Sequence, residues 1–169
     1  YLRKEEAMAP IMKPAAGDVT QGTVSAFAAL LVTYLVAIAA VKLYPNLVRN
    51  DLGGIVRTAR TIESAQIRGF GLVVFAVLEE VVWRGAVTTA LEPRVGSARA
   101  PFVASALFVA AVIPSFHPSL ILAAVTLGIG SAFLVKRTRR IVPACIMHAA
   151  FTWFLVEMVL RLLVDRLNR

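Results

Sequence analysis

Long apolar blocks alternate with short polar stretches along this chain. The first block, residues 23–43, has no charged side chain before Lys42. About 20 apolar residues are enough for a helix to cross the roughly 30 Å hydrocarbon core of a bilayer. The pattern therefore predicts a membrane-spanning helix in this part of the chain.

Four further apolar blocks follow, at residues 69–91, 101–113, 118–135 and 141–164. Pro114 and Pro118 bracket a break between two of them, because proline disfavours helix continuation and restricts the residue before it. Gly128 and Gly130 predict close contact with a neighbouring helix. We therefore expect an all-α fold, a polytopic transmembrane helix bundle with about five spans.

Residues 46–68 are more polar and predict a different kind of element. Gly53 and Gly54 are expected to act as a helix breaker within this stretch. Beyond them, apolar or small residues recur at helical spacing: Ile55, Ala59, Ile62 and Ala65 or Gln66. We predict an interfacial amphipathic helix that lies on the membrane surface.

Composition agrees with a membrane location. Of the 169 residues, 59% are hydrophobic and 17% charged, with a mean hydropathy of +0.76. Soluble domains carry about a quarter charged residues, so a water-soluble globule is excluded. The net charge of +8 does not indicate a nucleic-acid partner, because the basic residues lie between apolar blocks instead of forming one basic face.

Basic residues in the last interhelical loop are expected to contact the lipid bilayer. The run consists of Lys136, Arg137, Arg139 and Arg140. Such residues anchor at anionic headgroups and favour the cytoplasmic side of a membrane. We interpret this run as a topology anchor.

The amino-terminal segment, residues 1–22, is polar and differs from the helical domain expected at 23–169. It begins with Tyr1 instead of Met, so we expect that residues are missing upstream. No charged region followed by a short apolar run and a cleavage site is visible, and we therefore predict no signal peptide in this segment. The single cysteine, Cys145, can form no internal disulfide.

Three charged residues fall inside the second apolar block: Glu79, Glu80 and Arg84. A charge at the bilayer centre costs at least about 2.5 kcal/mol, so these side chains should face the interior of the bundle. Glu80 and Arg84 are four residues apart in the favourable order and can form an ion pair. Glu79 is then the less neutralised carboxylate. A buried charge cluster that only joins helices is the structural alternative.

Two more polar residues share the four-residue spacing on the last apolar block. His148 and Thr152 project from a stretch built otherwise of apolar residues and are expected to face a common polar cavity. His117, between the two prolines, is a third candidate, although its spacing alone does not bring it to Glu79. For either histidine, a hydrogen bond within the fold is the alternative interpretation.

These residues resemble the motifs of one family. Glu79-Glu80-Val-Val-Trp-Arg84 is similar to the E-E-x-x-x-R motif of the CAAX-protease and bacteriocin-processing (Abi) family of intramembrane proteases. That family's second motif, F-x-x-x-H at a helix end, is compared with Ile113 and His117. Its third motif, H-x-x-x-N or H-x-x-x-D after Pro-Ala, resembles the stretch from Pro143 to Thr152. The resemblance covers a family core of about residues 65–155.

The resemblance implies a role for each candidate. Glu79 would be the general base that activates water, supported by Glu80 and Arg84. His117 would hold the water or bind the substrate carbonyl. His148 and Thr152 would polarise that carbonyl or stabilise the oxyanion. Ile113 in place of Phe, and Thr152 in place of Asn or Asp, are departures from the family pattern.

The chain is therefore predicted to be a multi-pass protein of a bacterial plasma membrane that cleaves a membrane-embedded or lipidated protein. No cofactor is expected for this mechanism. A rival mechanism uses a divalent metal such as zinc, held by Glu79, His117 and His148 with a water.

Two further function classes stay open from the residues alone. A non-catalytic membrane subunit, or an immunity-type partner of another membrane complex, would keep the fold and tolerate the two departures. A transporter fragment would use the acids to relay protons or bind cations. Internal repeats would support a transporter, and the sequence shows none.

Overall fold

The computed structural model describes residues 12–61 and 64–156, and within these ranges the regular structure is helical throughout. The all-α prediction is confirmed. The amino-terminal half contains α1 (Asp18–Leu43), α2 (Pro45–Arg60) and α3 (Ala65–Glu80). A π-helical segment (Val81–Val87) then leads without a break into α4 (Thr88–Val95). The remaining helices are α5 (Ala100–Val112), a 3₁₀ turn (Ile113–Ser115), α6 (Pro118–Thr138) and α7 (Val142–Phe154).

Two helices of the described part, α1 and α6, are long and apolar enough to cross a membrane. The apolar stretches Ala100–Ser115 and Val142–Phe154 are shorter. The second apolar block of the sequence lies in the continuous helix from α3 to α4. Of the last predicted span, residues 157–164 lie outside the described residues.

The predicted amphipathic stretch is one helix and the start of another. Gly53 and Gly54 lie inside α2, so the prediction that they break the helix is wrong. The single helix expected through residue 68 is also wrong in extent, because Ser64 caps α3 by accepting a hydrogen bond from the Ile67 N–H at 3.3 Å. Ile62 lies outside the described residues.

Small residues allow close packing at three helix pairs. Gly22 of α1 lies against α7, where an added Cβ would come within 2.7 Å of the Pro143 carbonyl oxygen. Between α5 and α6, Ser105 Oγ donates to the Gly128 carbonyl at 2.7 Å. A Cβ on Gly130 would come within 3.0 Å of Met147 Sδ. The close contacts predicted for Gly128 and Gly130 are therefore present.

A buried ion pair joins the start of α1 to the turn between α6 and α7. Asp18 Oδ1 accepts from Arg140 Nη2 at 2.6 Å and from Arg140 Nε at 3.1 Å. The other carboxylate oxygen accepts from the Ala15 N–H at 2.8 Å. Asp18 is 1% exposed, so this pair ties the amino-terminal helix to the rest of the bundle.

The break between α5 and α6 is a true helix end, as the prolines predicted. Phe116 has a left-handed φ of 54° and closes the 3₁₀ turn after α5. Pro118 then occupies the first turn of α6, where its missing N–H costs no helical hydrogen bond. The chain reverses here, which places His117 at one end of the bundle.

Candidate active site

Four of the six sequence-predicted site residues meet in one cluster. His148 of α7 faces both adjacent acids at the end of α3. Its Nδ1 lies 2.8 Å from Glu80 Oε1, and its Nε2 lies 3.5 Å from Glu79 Oε2. Each ring nitrogen thus faces a carboxylate, and this orientation fixes the plane of the imidazole.

Glu80 is the buried centre of the cluster. Its Oε1 lies 3.2 Å from Arg84 Nη1, so the ion pair predicted from the spacing is present. The same oxygen accepts a hydrogen bond from Ser131 Oγ of α6 at 3.3 Å. Sequence reasoning missed Ser131, because a serine in an apolar helix carries no motif. Glu80 therefore connects α3, α6 and α7.

Hydrogen bonding in this cluster is incomplete within the described part of the chain. Glu80 Oε2 and the three guanidinium nitrogens of Arg84 are buried without a hydrogen bond of good geometry. The 3.2 Å contact of Arg84 is consequently a charge contact and not an aligned hydrogen bond. Buried polar atoms normally have partners, and exceptions of this kind concentrate at functional sites or mark water positions.

The π-helical segment shapes the site. It begins directly after Glu80 and carries Arg84. The Thr88 hydroxyl donates to the Trp83 carbonyl, five residues back, at 2.9 Å, and so satisfies a backbone oxygen in the widened turn. Short π-helical turns within α-helices occur frequently at functional sites.

An aromatic ring from α5 lines the cluster on another side. The Arg84 guanidinium carbon lies 5.0 Å from the centre of the Phe108 ring, a favourable cation–π distance. The same ring meets His148 edge-on, with 6.2 Å between ring centres. Phe108 is buried and was also missed from the sequence.

The charges of this cluster are not balanced by its one arginine. The carboxylates of Glu79 and Glu80 face the single guanidinium of Arg84, which leaves one negative charge uncompensated while His148 is neutral. Glu79 keeps 26% of its side chain exposed, whereas His148 keeps 4% and Glu80 none. Glu79 is therefore the carboxylate of this cluster that the described residues do not fully enclose.

His117 does not join the cluster. Its Nδ1 lies 2.7 Å from Oδ1 of Asp51 in α2, and Asp51 Oδ2 accepts from the Ser119 N–H at 2.8 Å. His117 immediately precedes α6, more than three helical turns before Ser131, or about 20 Å along the axis. Asp51 was not predicted as a site residue, because in the sequence it is a single acid within a polar stretch.

The metal set proposed from the sequence is consequently not assembled. His117 and His148 belong to different clusters, as described above. Within residues 12–61 and 64–156, no three His, Cys, Asp or Glu side chains are placed to hold one ion. As the described residues are placed, Glu79, His117 and His148 do not form a zinc site.

Thr152 lies one helical turn beyond His148 on α7 and is half-buried. Its hydroxyl forms no side-chain hydrogen bond with the described residues. Thr152 and His148 share a helix face because they are four residues apart.

The position of Phe108 changes how the second motif is read. The sequence comparison used Ile113 and His117, but Ile113 is exposed and Phe108 contacts the cluster. Counting F-x-x-x-H from Phe108 ends at Val112, one turn further along α5. Valine then stands where that motif has histidine.

Comparison with known proteins identifies one similarity. The family model for Rce1-like type II CAAX prenyl endopeptidases matches residues 64–154. This range begins at the cap of α3 and ends at the last residue of α7, so it contains the whole cluster. No curated protein and no solved structure matches the chain.

Proposed function

The chain belongs to the Rce1-like family of type II CAAX prenyl endopeptidases, which are membrane-embedded, and on that basis we propose that it is an intramembrane endopeptidase. Glu79 activates a water molecule for attack on a peptide bond. The observation that carries this proposal is the partly exposed Glu79 carboxylate beside a histidine fixed by Glu80.

The proposed reaction begins with proton transfer. Glu79 takes a proton from water, the resulting hydroxide adds to the scissile carbonyl carbon, and the tetrahedral intermediate forms. The C–N bond then breaks, and the proton passes from Glu79 to the departing amine. A positioned acid–base group of this kind contributes typically 10²- to 10⁴-fold to the rate.

His148 and Thr152 are proposed to stabilise the negative oxygen of the intermediate. When a peptide enters, its carbonyl oxygen replaces Glu79 as the group that faces the His148 Nε2–H, while Nδ1 stays with Glu80. The Thr152 hydroxyl has no hydrogen-bond partner among the described residues, lies one turn away and supplies a second donor. Loss of one oxyanion donor typically costs 10²- to 10³-fold in rate. His117 has no part in this proposal, and no step passes through a metal.

We place the protein as a multi-pass chain in a bacterial plasma membrane. In this arrangement the five spans are α1, the continuous α3–α4 helix, α5, α6 and α7. Helix α2 lies at the membrane interface. α2 buries Val48 and Leu52 and exposes charged residues such as Arg49 and Arg57, which suits an interfacial helix. The substrate class is a membrane-embedded or lipidated protein.

The Glu79→Gln variant tests the proposal. The purified protein, reconstituted in liposomes, is given two quenched fluorescent peptides, one carrying a prenylated carboxyl-terminal cysteine and one spanning the bilayer. We expect the wild type to cleave at least one of them, and Glu79→Gln to lose at least about 10²-fold in kcat with unchanged thermal stability. Glu80→Gln is the control for damage to the fold. It removes the buried charge that faces Arg84, so its main effect should be a lower thermal stability.

Two results would count against a protease. The first is that the wild type cleaves neither peptide, and that a comparison of new amino termini finds no cleaved protein in the host membrane. The second is that Glu79→Gln cleaves as fast as the wild type. Addition of a chelator should leave the rate unchanged, since no metal step is proposed.

A non-catalytic membrane subunit is the second candidate. The observations that favour it are two differences from the family motif: Val112 stands four residues after Phe108, where the motif has histidine, and His117 is bound to Asp51. This function predicts that Glu79→Gln still co-purifies with the same membrane partner as the wild type. Loss of the partner in Glu79→Gln, with the fold intact, would argue against it.

A further inference from the structure

A long groove separates α1 from α6 on the outside of the bundle. Its volume is about 590 Å³, and its walls are formed mainly by small and apolar side chains such as Ala28, Ala29, Val125 and Ile129. On α6 it runs from Leu122 to Arg137, about four helical turns or roughly 20 Å. This exceeds the roughly 15 Å of hydrocarbon in one leaflet of a bilayer.

One charged residue lines this groove in the described part of the chain. Arg137 stands at the end of the groove where α6 finishes, and the rest of the lining is uncharged. A guanidinium at the end of an apolar groove matches a molecule with one anionic end and a long apolar body.

The basic residues next to Arg137 each contact another part of the protein, whereas Arg137 has no such contact with the described residues. Lys136 lies over the Phe102 ring at 5.6 Å, and Arg140 is bound to Asp18. Arg139 Nη1 lies 3.9 Å from Glu92 Oε1. Of this basic run, Arg137 alone has no ion pair, hydrogen bond or ring contact with the described residues, and its side chain is exposed. Three of the four basic side chains therefore have a contact within the described residues, and Arg137 is available to a ligand.

We propose that the groove binds one anionic phospholipid. An acyl chain lies between α1 and α6, and Arg137 binds the phosphate at the membrane surface. Arginine suits this role because its planar fork of N–H donors matches phosphate oxygens. The site is separate from the Glu79 cluster and does not depend on the proposed proteolysis.

Native mass spectrometry of the full chain, with phosphatidylglycerol or phosphatidylcholine added, tests the headgroup contact. We expect phosphatidylglycerol to bind more tightly, and Arg137→Gln to weaken it about fivefold, the factor that corresponds to the loss of about 1 kcal/mol for one basic residue. Lys136→Gln is the matched control, since it removes the same charge one position away and should change binding by less than twofold. Equal losses in the two variants would show diffuse attraction and overturn the proposal.

A second variant tests the chain-binding groove. Ala28 is exposed and lines the groove, so Ala28→Phe should fill it and weaken both phospholipids. Unchanged binding of both phospholipids would overturn the proposal. If self-association of the protein is lost at the same time, the groove is assigned to a protein contact instead. Arg137→Glu provides the test if Ala28→Phe does not fold. It should abolish the preference for phosphatidylglycerol, and a retained preference would refute the site.

Discussion

At the residue scale, the two adjacent glutamates have different surroundings. Glu80 is enclosed by Arg84, Ser131 and His148, whereas Glu79 contacts His148 and keeps access to the outside. The spacing of Glu80 and Arg84 was sufficient to predict their pairing and the lesser neutralisation of Glu79. It could not identify Ser131 or Phe108, because contacts between distant helices depend on packing and not on local spacing.

Val112 gives the sharpest residue-scale prediction. It lies one turn from Phe108, whose ring contacts both Arg84 and His148. We expect Val112→His to raise kcat of the proposed protease about tenfold or more, since a positioned imidazole can assist proton transfer or hold the attacking water. The measurement is cleavage of the peptide that the wild type cleaves, and Val112→Leu is the control for size.

Removal of His117 complements this experiment. Because His117 is bound to Asp51 far from the cluster, His117→Gln should change kcat by less than about twofold. A loss comparable to that of Glu79→Gln would mean that His117 reaches the substrate, as the sequence comparison first suggested.

At the element scale, apolar block length predicted most helices, but not their irregular parts. The prolines correctly marked the end of α5. The π-helical segment after Glu80 had no sequence signal, because nothing in the residues from Val81 to Val87 distinguishes a π-helical turn from an α-helical one. Gly53 and Gly54 misled the prediction: glycine only weakens a helix by about 1 kcal/mol relative to alanine, and the packing of Val48 and Leu52 outweighs that cost.

Gly22 and Gly71 form a matched pair for testing helix contact. A Cβ on Gly22 would meet Ile146 and Pro143 at 2.7 Å, whereas a Cβ on Gly71 would have no neighbour within 4 Å. We expect Gly22→Ala to lower the free energy of unfolding by about 1–3 kcal/mol through overpacking. Gly71→Ala should leave it unchanged or raise it slightly. Unfolding in SDS-titrated mixed micelles measures both, and equal effects would contradict the close contact of α1 with α7.

At the scale of the whole molecule, two acids connect the helices before residue 64 to the segment that the family model matches. Asp18 binds Arg140, and Asp51 binds His117 and the Ser119 N–H. Composition and block length were enough to predict a helical membrane protein. Neither contact could be predicted, since each joins residues more than 60 positions apart and a single sequence gives no information about such pairs.

The Asp18 pair carries the prediction at this scale. Asp18→Asn leaves the Arg140 guanidinium without its carboxylate, and we expect a loss of about 1–3 kcal/mol in the free energy of unfolding. Glu92→Gln is the control, because its 3.9 Å contact with Arg139 is exposed on both sides and such pairs contribute about 0–1 kcal/mol. Chemical unfolding of both variants in the same micelles measures the difference. Similar small losses would mean that the buried pair does not stabilise the bundle.

These two acidic contacts also set conditions on how the chain can be recombined. Exchange of the family-matched segment between relatives, with a crossover between residues 61 and 64, would separate Asp18 from Arg140 and Asp51 from His117. A chimera keeps both contacts only if the incoming segment supplies a basic residue and an imidazole at the matching places. The part of this protein that must be exchanged as one piece is thus larger than its motif region. We expect residues of the amino-terminal helices to co-vary with the residues that they contact in the family-matched segment.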